Sequence, residues 1–345
     1  MKRAELTETI RKKALELGYV DVGFTTLDDF DGYEKELKER KGYKFFSDRG
    51  LSKTAKPKQR YPSAKSVISL VDSYGNIDFP EVLANSIGRA YLARSYASLG
   101  KGINSQRHIL FKDFLHGLGI NTFDEPGFFQ LPDRAVAARA GVVTYGKNNF
   151  AYAGKYGSFI ILTSVIIDAE PNCQTHKPRR DCPEGCRLCI EACPTHALNE
   201  QGHLDPERCV LFNNIFPDIL LNTEVRGLIG MRIHGCDTCQ LVCPRNRHIL
   251  NAPKVKDPLL EEIAEVFDLE KMLCGDEEYY RKAVTPLISP YFEDKERHRR
   301  NAAVAMGNSN MTNYLPALQA ASKHDPSSLV RKAAEWAIGR LGSAK

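Results

Sequence analysis

The sequence predicts an α+β protein in three parts: an α/β layer at the front, a cysteine-rich middle organised by metal, and an all-helical end. Three observations carry this. Apolar runs alternate with helical periodicities through residues 1–170. Eight of the ten cysteines lie between positions 182 and 243. Small and apolar residues recur at helical spacing after residue 295.

Leu6, Ile10, Ala14 and Leu17 share one helix face, and Gly18 closes that helix. YVDVGFTT (19–26) reads as a strand. A polar stretch follows, then SAKSVISLVDSYG (63–75), a buried strand bounded by Pro62 and Gly75. Residues 102–118 carry Ile103, Ile109, Leu110, Phe114 and Leu118, the pattern of an amphipathic helix. RAVAARAG (134–141) is a short helix ending in glycine. SFIILTSVIID (158–168) is a continuous apolar strand. Residues 171–250 lack periodicity and cannot bury enough apolar surface unaided, so bound metal is expected to order them. Residues 251–294 form a connector. RHRRNAAVAMGN, YLPALQAASKHD and SLVRKAAEWAIGRL predict three short helices, with a turn at Asp325-Pro326. Their spacing fits stacked helix pairs of the HEAT kind, about one and a half repeats.

Hydrophobic residues make up 42% and charged residues 26%, ordinary for a soluble globular protein. No run reaches the ~18 apolar residues of a membrane span. The start, MKRAELTETIRKKALELGY, has no apolar segment of the signal-peptide kind. A cytoplasmic protein with no membrane partner is expected, and there ten cysteines are not disulfides. The net charge of +5 decides nothing, but residues 295–345 hold nine Lys/Arg against three Asp/Glu. Such a face can meet nucleic-acid phosphates, or it can be a solvated helix face.

Cys186-x2-Cys189-x3-Cys193-Pro194 is the two-cluster ferredoxin spacing, and Cys236-x2-Cys239-x3-Cys243-Pro244 repeats it. In that pattern the cysteine before proline crosses to the other cluster. One [4Fe–4S] cluster then takes Cys182, Cys186, Cys189 and Cys243. The other takes Cys193, Cys236, Cys239 and Cys209, the nearest candidate for a fourth thiolate. Soft thiolates, four per cluster, suit iron–sulfur cubanes better than paired zinc knuckles. The gap from Cys182 to Cys186 is three residues where two is usual, and the second run lacks its own first cysteine. Cys173 and Cys274 lie outside the pattern, although Cys173 competes with Cys182 as a ligand.

The chain resembles the epoxyqueuosine reductases, which are similar in architecture to the corrinoid reductive dehalogenases. The resemblance rests on VGFTT (22–26), PSAKSVISL (62–70), DRAVAARAGV (133–142), GKN (146–148), YGSFIILTSVI (156–166), CRLCIEACPTHAL (186–198), IGMRIHGCDTCQLVCPRN (229–246) and RRNAAVAMGN (299–308). It implies a nitroreductase-like cobalamin-binding domain over 1–170, a double [4Fe–4S] ferredoxin-like domain over 171–250 and a HEAT-like repeat over 295–345. It also implies reduction of epoxyqueuosine to queuosine in tRNA, with electrons passing from the clusters through the corrinoid. By the same resemblance Asp133, Asn148, Leu211 and Asp237 fall where residues touch the corrinoid. From the residues alone, Asp133 could be a helix cap, Asn148 a turn residue, Leu211 core and Asp237 a cap of the cysteine loop. The chain has no Asp-x-His-x-x-Gly motif, so a corrinoid here has no histidine ligand from that motif. An external donor such as ferredoxin or flavodoxin, and a monomer, complete the picture.

Three departures stand out. The family's proton-donating acid, six residues before the aspartate of the DRAVA-like segment, is replaced by Gly127. Asp124 and Glu125 stand nearby, and Tyr145, Tyr152 and Tyr156 are other candidate donors, since epoxide opening needs a positioned acid. The family's Gly-x-Asp-Tyr-His segment is replaced by YASLGKGINSQ (96–106), and Thr54 stands where an arginine is usual. A small organic substrate, or a role as electron carrier or corrinoid-reactivating protein, therefore competes with epoxyqueuosine-tRNA. We predict about eight irons per chain in anaerobically purified protein. Fewer than about five, with zinc present, would sink the cluster assignment.

Overall fold

A computed structural model describes residues 1–48, 50–94, 103–123, 130–216, 223–288 and 295–343. The front of the chain builds a four-stranded sheet. Its strands are β1 (Asp21–Thr26), β2 (Ser66–Ser73), β3 (Thr122–Phe123) and β4 (Ile160–Ile167), in spatial order β1-β2-β4-β3. Every pairing is antiparallel, with Gly23 opposite Ser69, Ser69 opposite Ser164 and Thr122 opposite Ile167.

The two central strands read as unbroken apolar runs because both sheet faces are covered. On one face Ile68, Leu70, Val165 and Ile167 pack against Ile10 and Ala14 of α1 (Arg3–Glu16) and Phe111 and Leu115 of α2 (Ile103–Gly117). On the other, Val67 and Ile166 meet Leu131, Ala135 and Val136, and Val71 meets Ala137 and Ala138. Ala135, Val136, Ala137 and Ala138 belong to α3 (Asp133–Arg139). Each such aliphatic side chain fully buried stabilises the fold by about 1.5–3 kcal/mol before entropy is counted. Gly23 lets α3 lie close. A Cβ there would come within 2.8 Å of Val142 and 2.9 Å of Ala140, just past the helix end.

The cysteine-rich middle consists of short turns and helices. The helices Leu188–Glu191 and Thr238–Leu241 pack on one another, and each carries a cysteine. A buried polar chain fastens this segment to the front. The Ser158 N–H donates to Asn246 Oδ1 at 2.8 Å, and Asn246 Nδ2 donates to the Gln240 carbonyl at 2.8 Å. Gln240 Nε2 donates to Asp237 Oδ1 at 3.0 Å, and the Arg89 N–H donates to Asp237 Oδ2 at 2.8 Å. Burying such groups is tolerable because each finds a partner.

The end of the chain forms α4 (Lys295–Asn308), α5 (Leu315–His324) and α6 (Ser328–Gly342). Gly307 brings α4 against α6, where an added Cβ would sit 2.8 Å from Ala337. α4 also clamps the cysteine-rich segment. Arg300 is fully buried and donates to the Asn213 carbonyl at 2.9 Å. Asn301 Nδ2 donates to the carbonyls of Asn214 and Ile233 at 2.9 and 2.7 Å.

Much of the tail's positive charge is engaged within the chain. Arg297 donates to the Ile215 carbonyl, Arg299 pairs with Asp325 at 3.5 Å and Arg331 donates to the Asp325 carbonyl at 2.6 Å. Arg340 stacks over Trp336 and bonds the Gly227 carbonyl at 3.3 Å, and Lys295 pairs with Glu277. Lys323 and Lys332 face solvent. A charge count cannot see that these guanidinium groups satisfy the chain's own carbonyls. Among the described residues no helix is long and apolar enough to cross a membrane.

The clamp is testable. Arg300→Ala leaves buried carbonyl and amide groups unpaired and should cost about 3 kcal/mol. It should lower Tm and release the last helices earlier in limited proteolysis; an unchanged Tm and digestion pattern would show that the clamp is dispensable.

Candidate functional site

The ten cysteines are all unpaired thiols. Cys182, Cys186, Cys189 and Cys243 line one small cavity between Lys147, Asn148, Tyr152 and the prolines Pro183 and Pro244. Burial and then the neighbouring sulfurs of Cys243, Cys182 and Cys186 push the Cys189 thiol up to about 11. A second group is marked in the same way. Burial pushes Cys209 up to about 11, with Cys236 and Cys193 adding to it. Cys239 is driven well above its ordinary value by burial and by Cys236, Cys209 and Cys193. The structure thus gathers eight cysteines into two groups of four. Cys193 and Cys243 each belong with the other run. Thiols so crowded keep their protons unless a cation compensates them, and a sulfide-bridged iron core with terminal thiolate ligands does that.

Among the described residues no three His, Cys, Asp or Glu side chains converge closely enough for a single metal ion. The corners of a four-iron cube hold sulfurs further apart than ligands around one ion. Cys173 packs on the front core near Arg3 and Glu170, and Cys274 ends the helix Leu269–Cys274.

Donors already point at the sulfurs. The hairpin of Thr144–Tyr145 and Ala151–Tyr152 encloses the turn 146–150, where Asn149 takes φ +66°. That turn places the Lys147 N–H 3.3 Å from the Cys182 sulfur. The Tyr152 hydroxyl donates to the Cys243 sulfur at 3.1 Å. In the second group the Ala197 N–H donates to the Cys193 sulfur at 3.3 Å.

A cavity of about 490 Å³ opens beside the second group. One wall is the start of α3 with Leu131 and Asp133; another is Cys209, Leu211, Phe212 and Phe216. The remaining wall comes from the polar stretch 31–60, through Tyr33, Arg40, Tyr43 and Phe46. Phe45 and Phe46 hold that stretch in place by edge-on packing against Phe212, with ring centres 5.0 and 5.8 Å apart. The size suits a cofactor or substrate site. Burial pushes the Asp133 carboxyl up to about 6, and the neighbouring Ser164 draws it partly back.

Of the corrinoid-facing candidates, Asp133 and Leu211 line this cavity. Asn148 lines the first cysteine cavity instead, and Asp237 is held by Arg89 and Gln240. Tyr145 donates its hydroxyl to the Arg134 carbonyl at 2.8 Å, and burial pushes it up to about 12. Asp124, Glu125 and Gly127 lie outside the described residues. Thr54 is fully buried. The cavity wall from 31–60 escaped the sequence reading, although the aromatic run YKFF within a basic, polar stretch was its available signal.

Residues 182–246 match the family model of a 4Fe-4S double cluster binding domain. The epoxyqueuosine reductase of Bacillus subtilis is 30% identical over 98% of this chain and 88% of its own length. The chain belongs to the epoxyqueuosine reductase family. The Pseudomonas aeruginosa epoxyqueuosine reductase is 29% identical over 98% of the chain and 95% of its own length. Among solved structures, an epoxyqueuosine reductase with an epoxyqueuosine-modified tRNA-Tyr stem loop overlays with a TM-score of 0.82 at 28% identity. It covers 98% of this chain and 90% of that one. The Streptococcus thermophilus epoxyqueuosine reductase overlays at 0.81 and 26%, covering 99% and 91%.

Asp133 gives this member of the family a pH signature. Its carboxyl is raised in the folded state, so ionising it costs stability as pH rises through about 6. Asp133→Asn should therefore be more stable than the parent at pH 7.5, by up to about 3 kcal/mol. The gain should shrink as pH falls below 6 in a thermal-melt series; a gap independent of pH would show an ordinary carboxyl.

Proposed function

We propose that the chain reduces epoxyqueuosine to queuosine in tRNA, as a cobalamin- and [4Fe–4S]-dependent oxidoreductase. One observation carries the reading: Cys209 belongs to the second cysteine group and also lines the large cavity. A group bound in that cavity lies against a cluster ligand, which suits electron delivery. Cys182, Cys186, Cys189 and Cys243 are assigned to one cluster and Cys193, Cys209, Cys236 and Cys239 to the other. Residues 1–170, 171–250 and 295–345 then serve as corrinoid domain, cluster domain and HEAT-like support.

The cavity suits a corrinoid in its chemistry. Its walls are aromatic and aliphatic, for the faces of a macrocycle, and Arg40, Lys41 and Arg134 supply polar groups for its rim. Among the described lining residues there is no histidine. Clusters and corrinoid, when bound, supply one-electron transfer at low potential. The chain's own residues exclude water and manage protons. Leu37, Leu131 and Leu211 dry the cavity. Asp133, with a carboxyl near neutrality in its affinity for protons, can hold one against the bound group. Removing an epoxide oxygen as water consumes two electrons and two protons, so an external donor such as ferredoxin or flavodoxin is needed.

The test is complementation of a strain lacking epoxyqueuosine reductase, with queuosine measured in its tRNA. We expect queuosine to return. None, in cells whose protein holds its iron and corrinoid, would overturn the tRNA substrate and leave the small-molecule or carrier roles.

A further inference from the structure

We infer that Tyr152, held by Asn148, is a positioning residue that sets the reduction potential of the cluster ligated by Cys243. The inference rests on the ligand assignment proposed above. Its geometry is a directed chain of hydrogen bonds. Asn148 Nδ2 donates to the Tyr152 hydroxyl at 2.7 Å, and that hydroxyl donates to the Cys243 sulfur at 3.1 Å. A thiolate only accepts, so the direction of the second bond is fixed once iron is bound. The amide's orientation is fixed independently, because Asn148 Oδ1 accepts the Phe150 N–H at 3.3 Å.

The same Asn148 nitrogen donates to the Cys239 carbonyl at 3.1 Å. Asn148 therefore touches the loops of both clusters while aiming one hydroxyl at one sulfur. Tyr152 and Asn148 are buried, and Arg245 stacks over the Tyr152 ring at 4.0 Å, so the hydroxyl cannot swing away to water. Glycine is required at 146 for this packing. A Cβ there would stand 2.5 Å from Asn148 Oδ1 and 2.7 Å from the Tyr152 ring.

Reduction adds one negative charge to a cluster, spread over its sulfurs. A donor on a sulfur stabilises that added charge more than the oxidised state, and so raises the potential. An O–H donor within a buried site is a strong example. The arrangement biases electrons toward this cluster without altering its ligands. It also gives Tyr152 a task other than donating protons to substrate.

Two variants of the cluster-loaded protein test this by potentiometric titration followed by electron paramagnetic resonance. Tyr152→Phe should move one of the two reductive midpoints to more negative potential and leave the other, with the iron content unchanged. Tyr152 replaced by 3-fluorotyrosine, a stronger donor of the same shape, should move that midpoint in the opposite direction. If the phenylalanine variant loses iron, the fluorinated protein alone decides. Iron retained with both midpoints unmoved would overturn the inference and leave the ligand assignment standing. Iron well below eight atoms in the parent protein would overturn both.

Discussion

Eight thiols crowded into two half-buried groups make the constraint around which this chain is arranged. Without a cation they repel as thiolates and are poorly solvated as thiols, so the segment carrying them gains order only when metal enters. The crossing of Cys193 and Cys243 makes that ordering mutual. Neither group can be completed by one run, so the two short helices must pack together before either has four sulfurs. The front domain and the tail both respond to this demand. The turn 146–150 delivers an N–H and a hydroxyl to one group. α4 holds the backbone that leads to Cys209 and Cys236 in the other.

The large cavity exists because three unrelated segments meet at the second group. α3 brings Asp133 from the covered face of the sheet, with Gly23 allowing the approach. The aromatic pair Phe45 and Phe46 brings the 31–60 stretch onto the helix that follows Cys209. No segment alone makes a site. The electrostatics agree with the architecture. The carboxyl in the cavity holds its proton up to about pH 6, well above the ordinary carboxylate range, as burial in a dry wall requires.

Parts of this were plain in the sequence and parts were not, for physical reasons. β2 and β4 were legible because burial on both faces removes polar alternation, leaving SVISL and IILTSVII as unbroken runs. Cysteine spacing was legible because a cluster fixes it. Arg300 was misread because formal charge says nothing of direction; its guanidinium turns inward to carbonyls 87 residues away in the chain. Tyr43 and Phe46 were overlooked because short helices in polar surroundings carry too few apolar positions to show a period. The bonds that tie Asn148 to the Cys239 carbonyl and Asp237 to Arg89 could not be read from spacing, because they join segments 91 and 148 residues apart in the chain.

The grip of Arg300 and Asn301 on the carbonyls of Asn213, Asn214 and Ile233 has a consequence for how the protein is made. Synthesis runs from the N-terminus, so every cysteine of both groups leaves the ribosome before α4 does. During that interval the backbone flanking Cys209 and Cys236 lacks the partners that later fix it. The backbone around the second group therefore reaches its full set of partners only once α4 has been made. A product ending before α4 would lack the side chains that bond the carbonyls of Asn213, Asn214 and Ile233.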